Sequence, residues 1–120
     1  MPSIDQHLDQ VAHNEAFLAS IDRNANSDWA LTVLFYTGLH EIDALLASKN
    51  IHPGGHPVRD QAVAGNVELL PIAKYYFRLK SRSQNARYNC VRFSAAEVNR
   101  AERDDWGTIK RELSRYLNGS

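Results

Sequence analysis

One segment constrains the fold of this chain more than any other. The stretch DWALTVLFYTGLHEIDALLASKN, which begins at Asp28, carries apolar residues on almost every side of a helix as far as Leu46. A helix that is apolar all round has to be buried among other elements. Ser27 is a candidate N-cap, and Asp28 falls in the first turn, where a negative charge favours the helix dipole. The sequence therefore predicts a central, buried helix.

Both ends of the chain also show helical spacing and capping signals. Ser3 is a candidate N-cap for a first helix that should end near residues 24–26. Ser94 and Glu97 have the spacing of a capping box, so a last helix should begin there. The apolar positions expected to define the inner faces of these two helices are Ile4, Leu8, Val11, Leu18, Val98, Ala101, Ile109, Leu113 and Tyr116.

The stretch NIHPGGHPVRDQ, residues 50–61, connects the central helix to the next one. Proline and glycine together end a helix and permit a sharp reversal, so a loop is predicted here that holds both His52 and His56. Two histidines four residues apart align only within a helix, so no metal site is predicted. A short third helix should run from about residue 57 or 58 to 64, and Pro71 suits the first turn of a fourth.

These elements predict an all-α fold, an up-and-down helical bundle of four main helices plus one short helix. A chain of 120 residues has the size of one domain, so a single domain is expected over residues 1–120. Neither a membrane span nor a secretory signal is apparent in the sequence, and a soluble, cytoplasmic protein is expected. Cys90 is the only cysteine, which excludes an internal disulfide, and it is predicted to be a partly buried thiol.

Charge is distributed unevenly along the chain, although the net charge is zero. Residues 1–68 hold nine acids against three bases, whereas residues 69–96 hold six bases and no acid. In the fourth helix Lys74, Arg78 and Arg82 follow one another at intervals of four and should face together. With Arg87 and Tyr88 they form a candidate nucleic-acid-binding site, because bases contact phosphates and aromatic rings stack on unpaired nucleobases. A solvated face, neutralised by the acidic first helix, is the alternative.

Several pieces of the sequence, in their order and spacing, resemble HEPN domains. They are the segment LFYTGLHEIDALLASKNI, the loop histidine with Arg59 three residues after it, and the segments RLKSRSQNARYN and FSAAEV. The resemblance covers about residues 27–105. It implies a small up-and-down helical bundle that is commonly homodimeric. Many HEPN domains act on RNA or pair with a nucleotidyltransferase in toxin–antitoxin and defence systems, so the resemblance implies a role related to RNA.

HEPN proteins that cleave RNA carry an arginine followed a few residues later by a histidine near the end of the corresponding helix. Arg82 matches the arginine, but the next candidate positions hold Ala86, Arg87 and Tyr88, and no histidine follows His56. Arginine stays protonated at any working pH and is a poor general base, although it can hold a phosphate. We therefore expect no catalytic residue of the family's usual kind, and no cofactor or metal.

Three functions remain open from the sequence. The first is an HEPN-like RNA-associated module that uses the basic residues of the fourth helix. The second is a protein-interaction module that forms a homodimer and pairs with a partner such as a nucleotidyltransferase, because the central helix carries apolar residues on more faces than a small monomer covers. His40, on that helix, is either an interface residue or a buried, hydrogen-bonded histidine. The third is a ribonuclease that uses other residues.

Overall fold

The computed structural model describes residues 1–117. Within this range all regular structure is helical and no strand occurs, which confirms the predicted all-α class and the helical bundle. A 3₁₀ segment precedes the fourth helix, and a π-helical segment joins the last two. In chain order the elements are α1 (Ile4–Ser20), α2 (Ser27–Ser48), α3 (His56–Gly65), the 3₁₀ segment (Val67–Ile72), α4 (Ala73–Tyr88), α5 (Ala95–Arg100), the π segment (Ala101–Trp106) and α6 (Gly107–Leu117).

Helix α1 begins as predicted and ends earlier than predicted. Ser3 Oγ accepts a hydrogen bond from the Gln6 N–H at 3.1 Å, and Gln6 Oε1 accepts one from the Ser3 N–H at 2.8 Å, so a complete capping box is present. The helix ends at Ser20 because the following residues turn on the side chain of Asp22. Its Oδ1 accepts hydrogen bonds from the N–H groups of Asn24 and Ala25, at 2.9 and 3.2 Å.

Helix α2 is the most buried element, as predicted. Its side chains pack against α1, α4, α5, the π segment and α6. It is long and apolar enough to cross a membrane by length and composition, but 78% of the relevant window is buried inside the fold, as in the core helix of a soluble protein. The predicted N-cap is wrong by one position, since Ser27 is the first helical residue and Asn26 precedes it without a side-chain cap.

The end of α2 shows how the chain reverses into the following loop. Asn50 has a φ of 58°, in the left-handed region that asparagine tolerates better than most residues. The Ile51 N–H bonds the Leu46 carbonyl at 2.8 Å and the Asn50 N–H bonds the Ala47 carbonyl at 2.9 Å, the two bonds of a Schellman motif. The carbonyls at the end of α2 are thereby satisfied, and residues 51–55 turn back beside the helix.

Helix α3 begins one residue earlier than the predicted range. His52 lies in the loop as predicted, whereas the prediction that His56 is a loop residue is wrong, because His56 opens α3. The Arg59 N–H already bonds the Gly55 carbonyl, at 3.1 Å. Pro57 lies in the first turn, where its missing N–H costs no helical bond. The helix therefore begins before Pro57 and includes it.

Helix α4 begins later than predicted. Pro71 lies inside the 3₁₀ segment Val67–Ile72, and the α-helix starts at Ala73. The buried residues of α4, which pack on α2, are Tyr76, Leu79, Ser83 and Ala86.

Beyond α4, Cys90 is exposed and has a φ of 56°, so the predicted partly buried thiol is wrong. The chain leaves the helix at this point, and Cys90 is turned away from the core.

The last helical region is interrupted by the π segment. The predicted capping box is present, since Ser94 Oγ accepts from the Glu97 N–H and Glu97 Oε1 accepts from the Ser94 N–H, both at 3.1 Å. Farther on, the Gly107 N–H bonds the Glu102 carbonyl, five residues back, in place of the usual four. Tyr116, expected on the inner face, is 54% exposed. Asp105 instead is buried within the π segment, against α4.

Candidate functional site

The basic residues predicted as a nucleic-acid-binding site do not share one face of α4. Arg78 and Arg82 contact the π segment on one flank of the helix. Arg87 contacts Tyr36 of α2 on the other flank. Lys74 is exposed and lies over the ring of Tyr75, with its Nζ 5.0 Å from the ring centroid. The predicted stripe of Lys74, Arg78 and Arg82 stays together, because Lys74 and Arg78 share the ring of Tyr75 and Arg78 and Arg82 share Asp105. Arg87 lies apart from it.

Asp105 neutralises much of the positive charge of Arg78 and Arg82. Its Oδ2 accepts a hydrogen bond from Arg82 Nη1 at 2.8 Å, and Arg78 Nε lies 3.1 Å from Oδ1 without hydrogen-bond geometry. The Asp105 side chain is only 1% exposed, and its burial raises its pKa although both arginines act in the opposite direction. The side chains of Arg78 and Arg82 are 45% and 28% exposed, and both are held at this carboxylate. The neutralising acid comes from the π segment, not from the first helix.

Arg87 and Tyr88 form an open cation–aromatic group at the end of α4. The Arg87 guanidinium lies 4.9 Å from the centroid of the Tyr88 ring and 5.8 Å from that of Tyr36. Its Nη1 lies 3.4 Å from the Tyr36 hydroxyl, and Tyr88 is 71% exposed. Within residues 1–117, no carboxylate lies within ion-pair distance of Arg87. Its charge and the open Tyr88 ring remain available to a ligand.

A second polar region, which the sequence did not predict, lies between α1, α2 and the loop that follows α2. His7 and His40 bring their Nδ1 atoms to 3.0 Å from each other across the two helices. A cavity of about 400 Å³ opens beside them. Its polar lining residues are His7, His40, Asp43, His52 and Arg59. We call this space the histidine cavity.

The wall of the histidine cavity is held by a buried ion pair. Arg59 of α3 binds Asp43 of α2 through two parallel hydrogen bonds, Nε to Oδ1 at 2.8 Å and Nη2 to Oδ2 at 2.9 Å. The two side chains are 10% and 7% exposed. Such a bidentate pair fixes both orientation and distance between its elements. It joins α3 to α2 and leaves the wall without net charge.

The surroundings of the two imidazoles in the histidine cavity lower the pKa of each. Burial lowers the pKa of His7, and the charge of Asp43 opposes this effect. Burial also lowers the pKa of His40, and the adjacent His7 lowers it further. A contact between two Nδ1 atoms at 3.0 Å needs one ring to carry its proton on Nδ1 and the other to accept. One ring therefore donates its Nδ1 proton, and the other accepts it with the lone pair of its own Nδ1.

His56 faces a different, more basic environment. Its Nδ1 lies 3.4 Å from Arg59 Nη1, and its ring centroid is 6.0 Å from that of Phe35. Desolvation, followed by the charges of Arg59 and Lys80, lowers the pKa of His56. The charge of Arg87 acts in the same direction. A neutral imidazole beside several cations can accept a proton near a bound phosphate.

Comparison with models of protein families, with curated proteins and with solved structures gives no match.

Proposed function

We propose that this chain is an HEPN-like RNA-associated module that holds single-stranded RNA without cutting it. The observation that carries the proposal is the open group formed by Arg87 and Tyr88. A guanidinium 4.9 Å from an aromatic ring that is 71% exposed offers a phosphate contact and a stacking surface at one place. Proteins that bind single strands combine these two contacts.

The structure changes which basic residues are expected to contribute. Arg78 and Arg82 already contact Asp105, so their attraction for phosphate is reduced. Lys80 contacts Asp60 and is likewise compensated. The cations that remain near α4 without a carboxylate partner among the described residues are Lys74, Arg87 and Arg92. Binding should therefore be modest and centred on the end of α4.

The test is the salt dependence of binding to a fluorescently labelled single-stranded RNA. Each neutralised phosphate on a single strand contributes about 0.7 to the slope of log affinity against log salt. Three free cations predict a slope of at most about 2. Replacing Arg87 with Gln and Tyr88 with Ala together should lower the slope by about 0.7 and weaken binding further through lost stacking, worth about 1–3 kcal/mol per base.

The chain offers a matched control for this variant. Arg115 and Tyr116 are also adjacent, lie near the end of α6, and Tyr116 is 54% exposed. Replacing them with Gln and Ala removes the same chemical groups from a different surface, so RNA affinity should stay unchanged. Equal losses in the two double variants would contradict a site at Arg87 and Tyr88. Absence of binding at low salt would contradict RNA association altogether.

A ribonuclease that uses other residues is a second candidate, favoured by the position of His56. This histidine comes from α3, yet the charges of Lys80 and Arg87 on α4 act on it. It could take the proton of a ribose 2′-hydroxyl while that oxygen attacks phosphorus and the 5′-oxygen leaves with a proton from water. Metal-free cleavage that is lost in His56→Gln and kept in His13→Gln would establish this activity. RNA that stays full length supports binding alone.

The protein-interaction alternative has its own observation. Besides Asp28 and the last two residues, the positions of α2 that are not fully buried are Trp29, Val33, Tyr36 and His40, and Trp29 is 58% exposed. Residues at these intervals lie on one side of a helix and suit a symmetric homodimer or a partner such as a nucleotidyltransferase. Sedimentation at micromolar concentration would show a dimer that Trp29→Glu dissociates. A monomer of 13.6 kDa would count against homodimerisation.

A further inference from the structure

We propose that the contact between His7 and His40 makes the docking of α1 on α2 sensitive to acid. At neutral pH the two imidazoles are joined by one hydrogen bond. In acid, protonation of both rings replaces that bond with repulsion between two cations, and α1 is held less tightly. The contact lies in the histidine cavity and is independent of RNA binding at Arg87 and Tyr88.

The two rings meet head-on. Their Nδ1 atoms are 3.0 Å apart, and their centroids are 5.3 Å apart. The difference is about twice the distance from the centre of an imidazole to its nitrogen, so both Nδ1 atoms lie close to the line that joins the rings. Only one hydrogen fits between two nitrogens at this distance. One neutral ring therefore carries its proton on Nδ1, and the other carries it on Nε2.

The first and second added protons have different effects on this contact. A proton added to Nε2 of the donor ring makes it an imidazolium, whose Nδ1–H still donates to the neutral partner as a charge-assisted hydrogen bond. The next proton has to go to the accepting Nδ1. Both rings are then cations with their N–H groups facing each other, and no lone pair is left to accept. The contact can therefore hold one added proton but not two.

The position of the pair connects this chemistry to the docking of α1. His7 is one turn into α1 and His40 lies in the middle of α2, the helix on which α1 mainly packs. His7 is 6% exposed, so protonation of both rings places charge where water reaches it poorly. Moving α1 away from α2 relieves both the repulsion and the lost hydration.

The other charged groups around the pair do not cancel this effect. They are Asp43 of α2, Arg59 of α3 and His52 of the loop between them. Burial has the largest influence on the pKa of His7 and on that of His40, and it lowers both. The charge of Asp43 raises the two pKa values, but both of its carboxylate oxygens are bonded to Arg59, which lowers them. His52 lowers the pKa of His7 further.

Acid destabilises the fold because the pKa values of the pair are lowered. An unfolded histidine takes up a proton near its ordinary pKa of 6.5, whereas the folded pair does so at lower pH. The stabilisation by the contact is therefore complete above about pH 7 and is lost as the pH falls from there through the lowered pKa of the fold. Each proton that the fold cannot take up lowers the folding equilibrium constant by up to about tenfold per pH unit.

The test is urea unfolding of the wild type and His40→Asn at about pH 7.5 and about pH 5.5. An asparagine amide offers a donor and an acceptor close to the backbone, as Nδ1 does, so it can bond His7 whether His7 is neutral or protonated. Between the two pH values, the folding equilibrium constant of the wild type should fall about tenfold relative to that of His40→Asn. His7→Asn, the reciprocal variant, should differ from the wild type in the same direction.

His13→Asn is the matched control, because His13 lies on the same helix and is exposed. It should keep the pH dependence of the wild type. Equal pH dependence in the wild type, His40→Asn and His7→Asn overturns the proposal. So does a change in His13→Asn as large as theirs.

Nitrogen-15 NMR of the imidazoles in the wild type at neutral pH gives a second readout, which needs no variant to fold. One ring of the pair should be protonated on Nδ1 and the other on Nε2, as a single hydrogen bond between the Nδ1 atoms requires. Two rings protonated on Nε2 would show that no such bond joins them, and the acid sensitivity would lose its physical basis.

Discussion

Glu41 should make the stability of this protein depend on pH in a direction opposite to that of an ordinary salt-bridged carboxylate. It lies in α2 and is only 4% exposed. Burial raises its pKa from an ordinary value of 4.5 to about 7, although Lys110 acts in the opposite direction and Glu15 adds to the rise. The folded state therefore holds this proton more tightly than the unfolded state does.

The magnitude follows from the two pKa values. Each tenfold difference in proton affinity corresponds to about 1.4 kcal/mol. The difference between 4.5 and about 7 is therefore worth about 3 kcal/mol. This contribution is fully present below the unfolded pKa and is lost as the pH rises through the folded pKa. Above about pH 8 Glu41 is ionised in the folded state too, and the buried charge leaves the fold weaker by that amount.

The assay is urea unfolding of the wild type and Glu41→Gln at about pH 4 and about pH 8. Glutamine has the same size and no charge, so it removes the titration and keeps the packing. All other titrating groups are common to both proteins and cancel in the comparison. Relative to the wild type, Glu41→Gln should gain about 3 kcal/mol between the two pH values. An equal difference in stability at both would refute the reasoning.

Two further predictions concern α4 and the residues that follow it. Replacing both Arg78 and Arg82 with Gln should lower the free energy of unfolding by about 3 kcal/mol, because buried Asp105 loses its partners. Chemical denaturation measures this, and a double variant as stable as the wild type would show that Asp105 needs neither arginine. Cys90→Gly should raise the free energy of unfolding by about 0.5–1 kcal/mol, because glycine adopts a φ of 56° without strain. Cys90→Ala, its control in thermal melts, should bring no such gain.

The helices could be predicted from local signals, because capping and apolar spacing act over a few residues. Ser3 and Ser94 cap the helices that they were predicted to cap. The boundaries that were missed depend on less local effects. The end of α1 depends on a turn around Asp22, and the start of α4 depends on a 3₁₀ segment that contains Pro71. Local propensity therefore indicates that a helix is present, but its end residues also depend on neighbouring turns and on tertiary packing.

The site was harder to predict, because its contacts join residues that are far apart in the sequence. His7 and His40 are separated by 33 residues, and no local pattern on α1 indicates which face His7 shares with α2. The contact between Asp105 and Arg82 was not predicted for a similar reason. Asp105 lies in the π segment, 23 residues beyond Arg82 in the sequence. One usable signal was present. A carboxylate such as Asp43 in a mostly apolar helix needs a buried partner, and Arg59 is the first arginine after it in the sequence.

The way α1 is attached has a consequence for local unfolding. Among the helices it packs mainly on α2, and its other ties include the contacts of Glu15 with Trp106 and Lys110. The central helix is held from several sides and can lose its hydrogen bonds only when the whole chain unfolds. A smaller opening that releases α1 alone would carry His7 away from His40. One wall of the histidine cavity therefore depends on the docking of a single helix, and an opening much smaller than global unfolding would separate the two histidines.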